Sequence, residues 1–306
     1  MLQVKVAITI YVENSFLRKK ILKLLKQLIA AKKISPPDWI ADNMLYANVH
    51  GSELYGCNID SSDKDIYGVC LPPKSTLFPH TTGWINGFTS PESFEQWQQH
   101  HVDQYDFQVF NITKFLRLAL DGNPSVTECL FAPQDCVLHR TASFQLILDA
   151  KQEFLTLKSV PRFRGYMLSQ LHKIKTKVPE GKRLESFNKW GYDLKFASHT
   201  IRLGYYCEQI LQDRWIDLRR DAEMIKRIKL GQLSLLEVEN LAQTILKRIE
   251  KKLVSTTLPT KPNEQKIKQL LINIIECHYG SISGLIKISE SEDAKKLAEI
   301  RSILWK

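Results

Sequence analysis

The chain has 306 residues, 43% of them apolar, which suffices to bury the core of one large or two modest domains and excludes a disordered chain. Its net charge of +10 is unevenly spread: residues 1–150 carry 13 basic and 15 acidic side chains, residues 151–306 carry 30 and 18, so a near-neutral half suited to metals adjoins a basic half suited to a polyanion. No run reaches the roughly 20 apolar residues of a membrane span, Val4 to Ile10 is too short for a secretory signal and lacks a cleavage site, and the six cysteines include no Cys-x-x-Cys pair, so a cytoplasmic protein with buried free thiols is expected rather than a membrane, secreted or zinc-ribbon protein.

In chain order, Val4, Val6, Ile8 and Ile10 alternate with polar or small residues, which predicts a short strand. Leu17, Ile21, Leu24 and Leu28 then recur at helical spacing over 14–32, with Arg18, Lys19, Lys23 and Lys26 on another face, and Pro36-Pro37 ends the helix. Met44 to His50 reads as a buried strand running into Gly51-Ser52, and Ile66 to Leu71 as a second strand before Pro72-Pro73. Residues 74–90 read as loop, Pro91 or Ser93 to about His100 as a helix, and Tyr105 to Phe110 as a third strand. Ile112 to Asp121 is a helix stopped by Gly122, and Asn123 caps the next, with Pro124 at its first position. From about residue 140 only helical periodicity remains. Ser255 to Glu264 has the composition of a linker, and helices follow at 264–278 and 291–304. The pattern divides the chain into a mixed half, 1–150, a helical domain, 151–255, and a helical tail, 256–306.

The chemistry lies where the first strand meets the second. A strand ending in Gly51-Ser52 at a helix start offers backbone N–H groups and a hydroxyl to the terminal phosphates of an NTP, with glycine allowing close approach. Asp63 and Asp65 lie two apart on a strand and therefore on one face. They can share magnesium, which prefers hard oxygen ligands and phosphates; manganese is the alternative ion. A two-metal site needs a third carboxylate from a neighbouring strand. Asp106 opens such a strand, about 5 Å away in the pairing direction, and is favoured over Asp103, which falls in the preceding turn.

These residues resemble the signature of the DNA polymerase beta-type nucleotidyltransferase superfamily. The fuller pattern is similar to its RNA-ligase-associated, RNA-repair branch: Gly51-Ser52-x-Leu54-Tyr55-Gly56, Ser62-Asp63-x-Asp65-x-x-Gly68-Val69, Pro72-Pro73, Lys114 to Pro124, Glu128-x-Leu130-Phe131 and Tyr192-Asp193-x-Lys195-x-Ala197-x-His199-x-x-Arg202-Leu203. The likeness covers roughly residues 44–250. It implies an α+β protein with a small mixed sheet flanked by helices as the catalytic domain and a helical second domain that binds substrate. It also implies magnesium-dependent transfer of a nucleoside monophosphate from an NTP to an acceptor hydroxyl, with Asp63, Asp65 and Asp106 holding two ions and Gly51, Ser52 and Ser62 holding the nucleotide. Lys64, where an apolar residue is usual, should point to the opposite sheet face.

Lys195, His199 and Arg202 fall at i, i+4 and i+7 on a helix, a basic stripe that could grip the triphosphate. Lys114 and Arg117 sit one turn apart and could face RNA, as could Arg219 and Arg220 near the aromatic Tyr205, Tyr206 and Trp215. Glu128 reads as structural, pairing with a buried base or capping a helix. The basic half makes an RNA or tRNA end the expected acceptor; a protein or small-molecule hydroxyl, or a silent RNA-binding protein of the same fold, are the alternatives.

Overall fold

The computed structural model describes residues 21–58, 64–78 and 94–280. The strand expected over Val4 to Ile10, the helix expected over 291–304 and the loop from 79 onward lie outside the described residues. The described residues open with helix α1 (21–30), followed by β1 (Met44–Val49), the one-turn α2 (Gly51–Leu54), β2 (Lys64–Cys70) and the one-turn α3 (Lys74–Leu77). Next come β3 (Gln96–Val102), β4 (Tyr105–Asn111), α4 (Ile112–Leu120), α5 (Pro124–Leu130), β5 (Val137–Arg140) and α6 (Ala142–Asp149). The remainder is helical: α7 (Ser159–Thr176), α8 (Lys182–Trp190), α9 (Leu194–Asp213), α10 (Ala222–Lys229), α11 (Leu235–Ser255) and α12 (Glu264–Tyr279). The fold is α+β, with a helical region after a five-stranded mixed sheet of order β3-β4-β2-β1-β5. β2 and β4 run parallel; the other pairs are antiparallel.

Residues 74–77, expected as loop, form the helical turn α3, and two further differences from the sequence pattern have physical causes. The helix expected from Pro91 or Ser93 to His100 is corrected: from Gln96 the chain forms the edge strand β3, whose residues 96–99 pair with 107–110 of β4. The run Gln-Trp-Gln-Gln-His-His has no helical apolar stripe to bury, whereas in extended form it completes the backbone hydrogen bonds of β4 and places Trp97 beside Phe107, 5.9 Å between ring centroids. β5 was not expected. It is four residues long, with Val137 and His139 buried and their neighbours partly exposed, and its pairing is with β1, about 90 residues earlier in the chain.

Caps fix the helix starts. Asn111 accepts from the Thr113 N–H at α4, Asn123 from Val126 at α5 with Pro124 following, and Asp193 from Lys195 and Phe196 at α9, each satisfying donors that lack an intrahelical partner. One face of the sheet (Met44, Ala47, Val49, Ile66, Phe107, Val109) packs on Ile21, Leu25 and Leu28 of α1. From the other face a single buried cluster runs from Leu45 and Phe110 through Phe115 and Phe144 to Ile201, Ile245 and Ile275. The mixed half and the helical half thus share a core. The segment 256–263 is docked rather than loose: Leu258 is buried and Pro259 O accepts from the Leu157 N–H at 2.9 Å. Among the described residues no helix is long and apolar enough to cross a membrane, and of the six cysteines five are buried and all are free.

Candidate active site

Asp65 and Asp106 are register partners on the parallel strands β2 and β4, so both side chains leave the same face of the sheet from strands about 5 Å apart. Each sits at the second position of its strand, where the chain enters the sheet. One oxygen of Asp106 accepts the His101 N–H at 2.7 Å, and His100 Nδ1 stands 3.5 Å from the other. Asp103 is placed differently: it turns between β3 and β4 with φ 54° and meets Lys33 Nζ at 2.8 Å on the surface. Asp63 and Ser62 lie outside the described residues.

The Gly51-Ser52 bend lies against Asp65 of this pair. The His50 N–H donates to Asp65 O at 2.7 Å, and a Cβ at Gly51 would fall 2.2 Å from Asp65 Oδ2, so the carboxylate lies directly against the glycine. Gly51 also has φ +67°, a conformation costing other residues about 1–2 kcal/mol. Gly51→Ala is therefore expected to displace Asp65 by the order of 1 Å and to lower the nucleotide transfer implied by the resemblance by roughly a hundredfold. The check is the transfer rate at saturating NTP alongside the melting midpoint; an alanine variant with unimpaired turnover would mean that this close approach has no part in the chemistry.

The bend is held at both ends by one buried carboxylate. His50, just before Gly51, stacks on Tyr67 of β2 at 4.0 Å between centroids, with its Nε2 3.2 Å from Tyr55 Oη and 3.5 Å from Glu128 Oε2. Tyr55, just after α2, donates to Glu128 Oε2 at 2.6 Å. Arg202 of α9 donates to the other Glu128 oxygen and lies with its guanidinium 3.7 Å from the centre of the Tyr55 ring. Burial opposes charge on Glu128, but Arg202, then His50 and Tyr55, outweigh it and hold the carboxyl down at about 2. The buried base expected to partner Glu128 is thus Arg202, only 7% exposed.

This corrects the three-residue stripe on α9. Lys195 is exposed, His199 is half-buried, and Arg202 is enclosed and committed to Glu128. Burial, with Arg202 and Lys195 nearby, pushes His199 down to about 3, so its ring is neutral at physiological pH. A cation that the spacing gave no reason to include joins Lys195: Lys229 of α10 donates to Cys57 O at 2.7 Å, and Cys57 N–H in turn donates to Ser52 O at 3.0 Å. Burial, together with Lys195 and Arg202 and against the pull of Cys57, lowers the Lys229 pKa from its ordinary value.

The residues expected at nucleic acid fall into two groups. Arg219 is turned onto the mixed half, with Nη2 3.3 Å from Glu53 O, Nε 3.4 Å from Leu54 O and Nη1 2.8 Å from Asp135. It satisfies the carbonyls that end α2, so it docks the two halves together. Lys114 and Arg117 converge on Glu95 at 2.9 and 3.5 Å, and Arg220 pairs with Asp213 at 2.8 Å, all at the surface. Tyr206 is buried, donating to Leu218 O, and Trp215 packs edge-on against Phe131 with Lys151 4.3 Å above its ring.

Against known proteins, residues 17–273 match the model of the family described as the RNA repair pathway DNA polymerase beta family. The chain is 23% identical over 179 residues to an uncharacterized 38.9 kDa protein of the nrdC-mobD intergenic region of Enterobacteria phage T4, covering 58% of this chain and 47% of that one. It thus spans about half the length of that relative. Among solved structures it is similar to a nucleotidyltransferase-like protein from Exiguobacterium sibiricum, with 11% identity and a TM-score of 0.26, covering 77% of this chain and 75% of the other. The family match extends from within the first expected helix through the sheet, the Gly51 bend and most of the helical half, and on that extent the chain belongs to the RNA repair pathway DNA polymerase beta family, a family of nucleotidyltransferases.

Proposed function

We propose that the chain transfers a nucleoside monophosphate from an NTP to an acceptor hydroxyl at the end of an RNA, tRNA included. The observation that carries this reading is the pairing of Asp65 with Asp106 in register, with the Asp65 carboxylate against the backbone of Gly51. Two hard oxygen donors on adjacent strands, opened toward a glycine-serine bend, fit a divalent ion beside a polyphosphate. Asp65 and Asp106, with Asp63, would hold magnesium, which when bound supplies charge neutralisation at the triphosphate and activation of the attacking hydroxyl.

The chain's own groups do the rest. The Gly51-Ser52 backbone and the Ser52 hydroxyl receive the terminal phosphates, and Lys195 and Lys229 add positive charge from the helical half. Asp106, one oxygen of which accepts the His101 N–H, would take the proton of the attacking hydroxyl as its oxygen bonds to the α-phosphorus. The bond from that phosphorus to the bridging oxygen breaks, and pyrophosphate leaves. RNA is favoured over a protein or small-molecule acceptor by the excess of basic side chains in residues 151–306, 30 against 18 acidic.

Incubation of the purified chain with magnesium, each labelled NTP in turn and a mixed RNA pool, read by gel and mass, is expected to label RNA with one nucleotide preferred. Affinity for the acceptor should fall steeply with salt. Label appearing only on protein or small molecules, or RNA labelling that survives the double substitution of Asp65 and Asp106 by Asn, would defeat the proposal.

A further inference from the structure

Trp190 is an aromatic ring without a role in the site described above. It closes α8 with 39% of its surface exposed. The ring lies flat on the backbone of Gly231: a Cβ there would come 2.4 Å from ring atoms Cδ2 and Cε2 and 2.8 Å from Cε3. Gly231 has φ +69° and follows Leu230, the C-cap of α10, so only a glycine permits both the turn and the contact. The indole is therefore fixed in orientation while much of it faces solvent.

Its surroundings are cationic. Lys189 Nζ stands 4.9 Å from the Trp190 ring centre. A second half-buried ring nearby in the chain, Phe196, carries the Arg183 guanidinium at 4.5 Å and the Lys173 ammonium at 5.8 Å, Arg183 being also paired with Asp193. From the end of α7 across α8 to the start of α9, rings and cations alternate, which is the composition that binds single-stranded nucleic acid: rings take base faces and cations take phosphates.

This surface reaches the active site through three residues. Ser52 O accepts from Cys57, Cys57 O accepts from Lys229, and Gly231 lies two positions beyond Lys229, beneath Trp190. We propose that Trp190 is the platform on which a base of the RNA acceptor stacks, with Lys189, Arg183 and Lys173 holding the adjoining phosphates. The inference rests on the RNA-acceptor reading and names the surface that would deliver it. An acceptor strand is favoured over the base of the NTP because ring-and-cation pairs recur at two places, Trp190 at the end of α8 and Phe196 in the first turn of α9, more than a single nucleotide needs.

The test uses the full chain, a short labelled single-stranded RNA followed by anisotropy, and the variants Trp190→Phe, Trp190→Leu and Trp190→Ala. Phenylalanine keeps a stacking face; leucine keeps apolar cover over Gly231 but has none. RNA affinity should be near wild type for Trp190→Phe and fall roughly tenfold for Trp190→Leu and Trp190→Ala. The KM for NTP should be unchanged, and Trp190→Leu should melt with the wild type. RNA should also quench part of the tryptophan fluorescence of the wild type, and that part should vanish in Trp190→Phe. Undiminished RNA affinity in Trp190→Leu overturns the platform, as does a loss confined to the KM for NTP, which would give the ring to the donor nucleotide. A wild-type chain that binds no RNA would instead defeat the acceptor reading itself.

Discussion

Asp65→Asn and Asp106→Asn are each expected to slow nucleotide transfer by roughly a thousandfold, since the interaction removed is worth several kcal/mol in the transition state. Asparagine keeps the shape and hydrogen-bonding reach of aspartate but removes the charge that a divalent ion and a developing alkoxide respond to. The two positions should behave alike because they are register partners on parallel strands. Fold should survive, because both side chains are half-buried at the entry of the sheet rather than in its core. Asp103 supplies the contrast: only three residues away, it sits in a surface ion pair with Lys33 whose partners are each about half exposed. Such pairs contribute about 0–1 kcal/mol, so Asp103→Asn should leave the rate near wild type. Single-turnover labelling with magnesium, run beside circular dichroism, separates the cases. An active Asp106→Asn together with a dead Asp103→Asn would move the third carboxylate to the turn and undo the geometry on which the proposed chemistry stands.

The parts of this architecture that could be read from residues alone are those set by local patterns. The apolar runs ending at Val49 and Phe110, the Asn123-Pro124 helix start and the Gly-Ser bend all announce themselves within a few residues. β3 does not, because Gln96 to His101 acquires strand structure only from the hydrogen bonds that β4 offers. The same limit governs the cations. Spacing of four and three puts Lys195, His199 and Arg202 on one helix face, but whether that face meets solvent or a buried carboxylate depends on Glu128, 74 residues away in sequence. Lys229 and Cys57 are separated by 172 residues, and Arg219 and Leu54 by 165. No periodicity carries such pairings, and each of them decides a role: Lys229 enters the site, while Arg202 and Arg219 leave the surface to bind its two halves together.

That last function predicts the second large effect. Arg202→Met should destabilise the chain by about 3–5 kcal/mol, because it strands Glu128, 1% exposed, without its counter-charge. Glu128→Gln should cost a similar amount by stranding Arg202, and the two losses should not add in the double variant, since each removes the same attraction. The pH dependence has a definite sign. Glu128 is held at about 2 in the fold against an ordinary value of 4.5, so its contribution is complete above pH 4.5, shrinks as pH falls from 4.5 toward 2, and is absent below; the difference corresponds to about 3 kcal/mol. His199 adds a loss in a higher window, because its folded form resists the proton that the unfolded chain takes up between its ordinary 6.5 and about 3. Urea unfolding at pH 7, 4.5 and 3 should therefore show stability declining at each step in the wild type. In Arg202→Met the Glu128 part of the decline below pH 4.5 should vanish, because burial without Arg202 favours the protonated carboxyl, leaving only the shallower loss from His199. If the single variants instead unfold with the wild type at neutral pH, the Glu128 pair is not what clamps His50 and Tyr55, and the Gly51 bend must owe its position to the His50–Tyr67 stack and the Arg219 contacts alone.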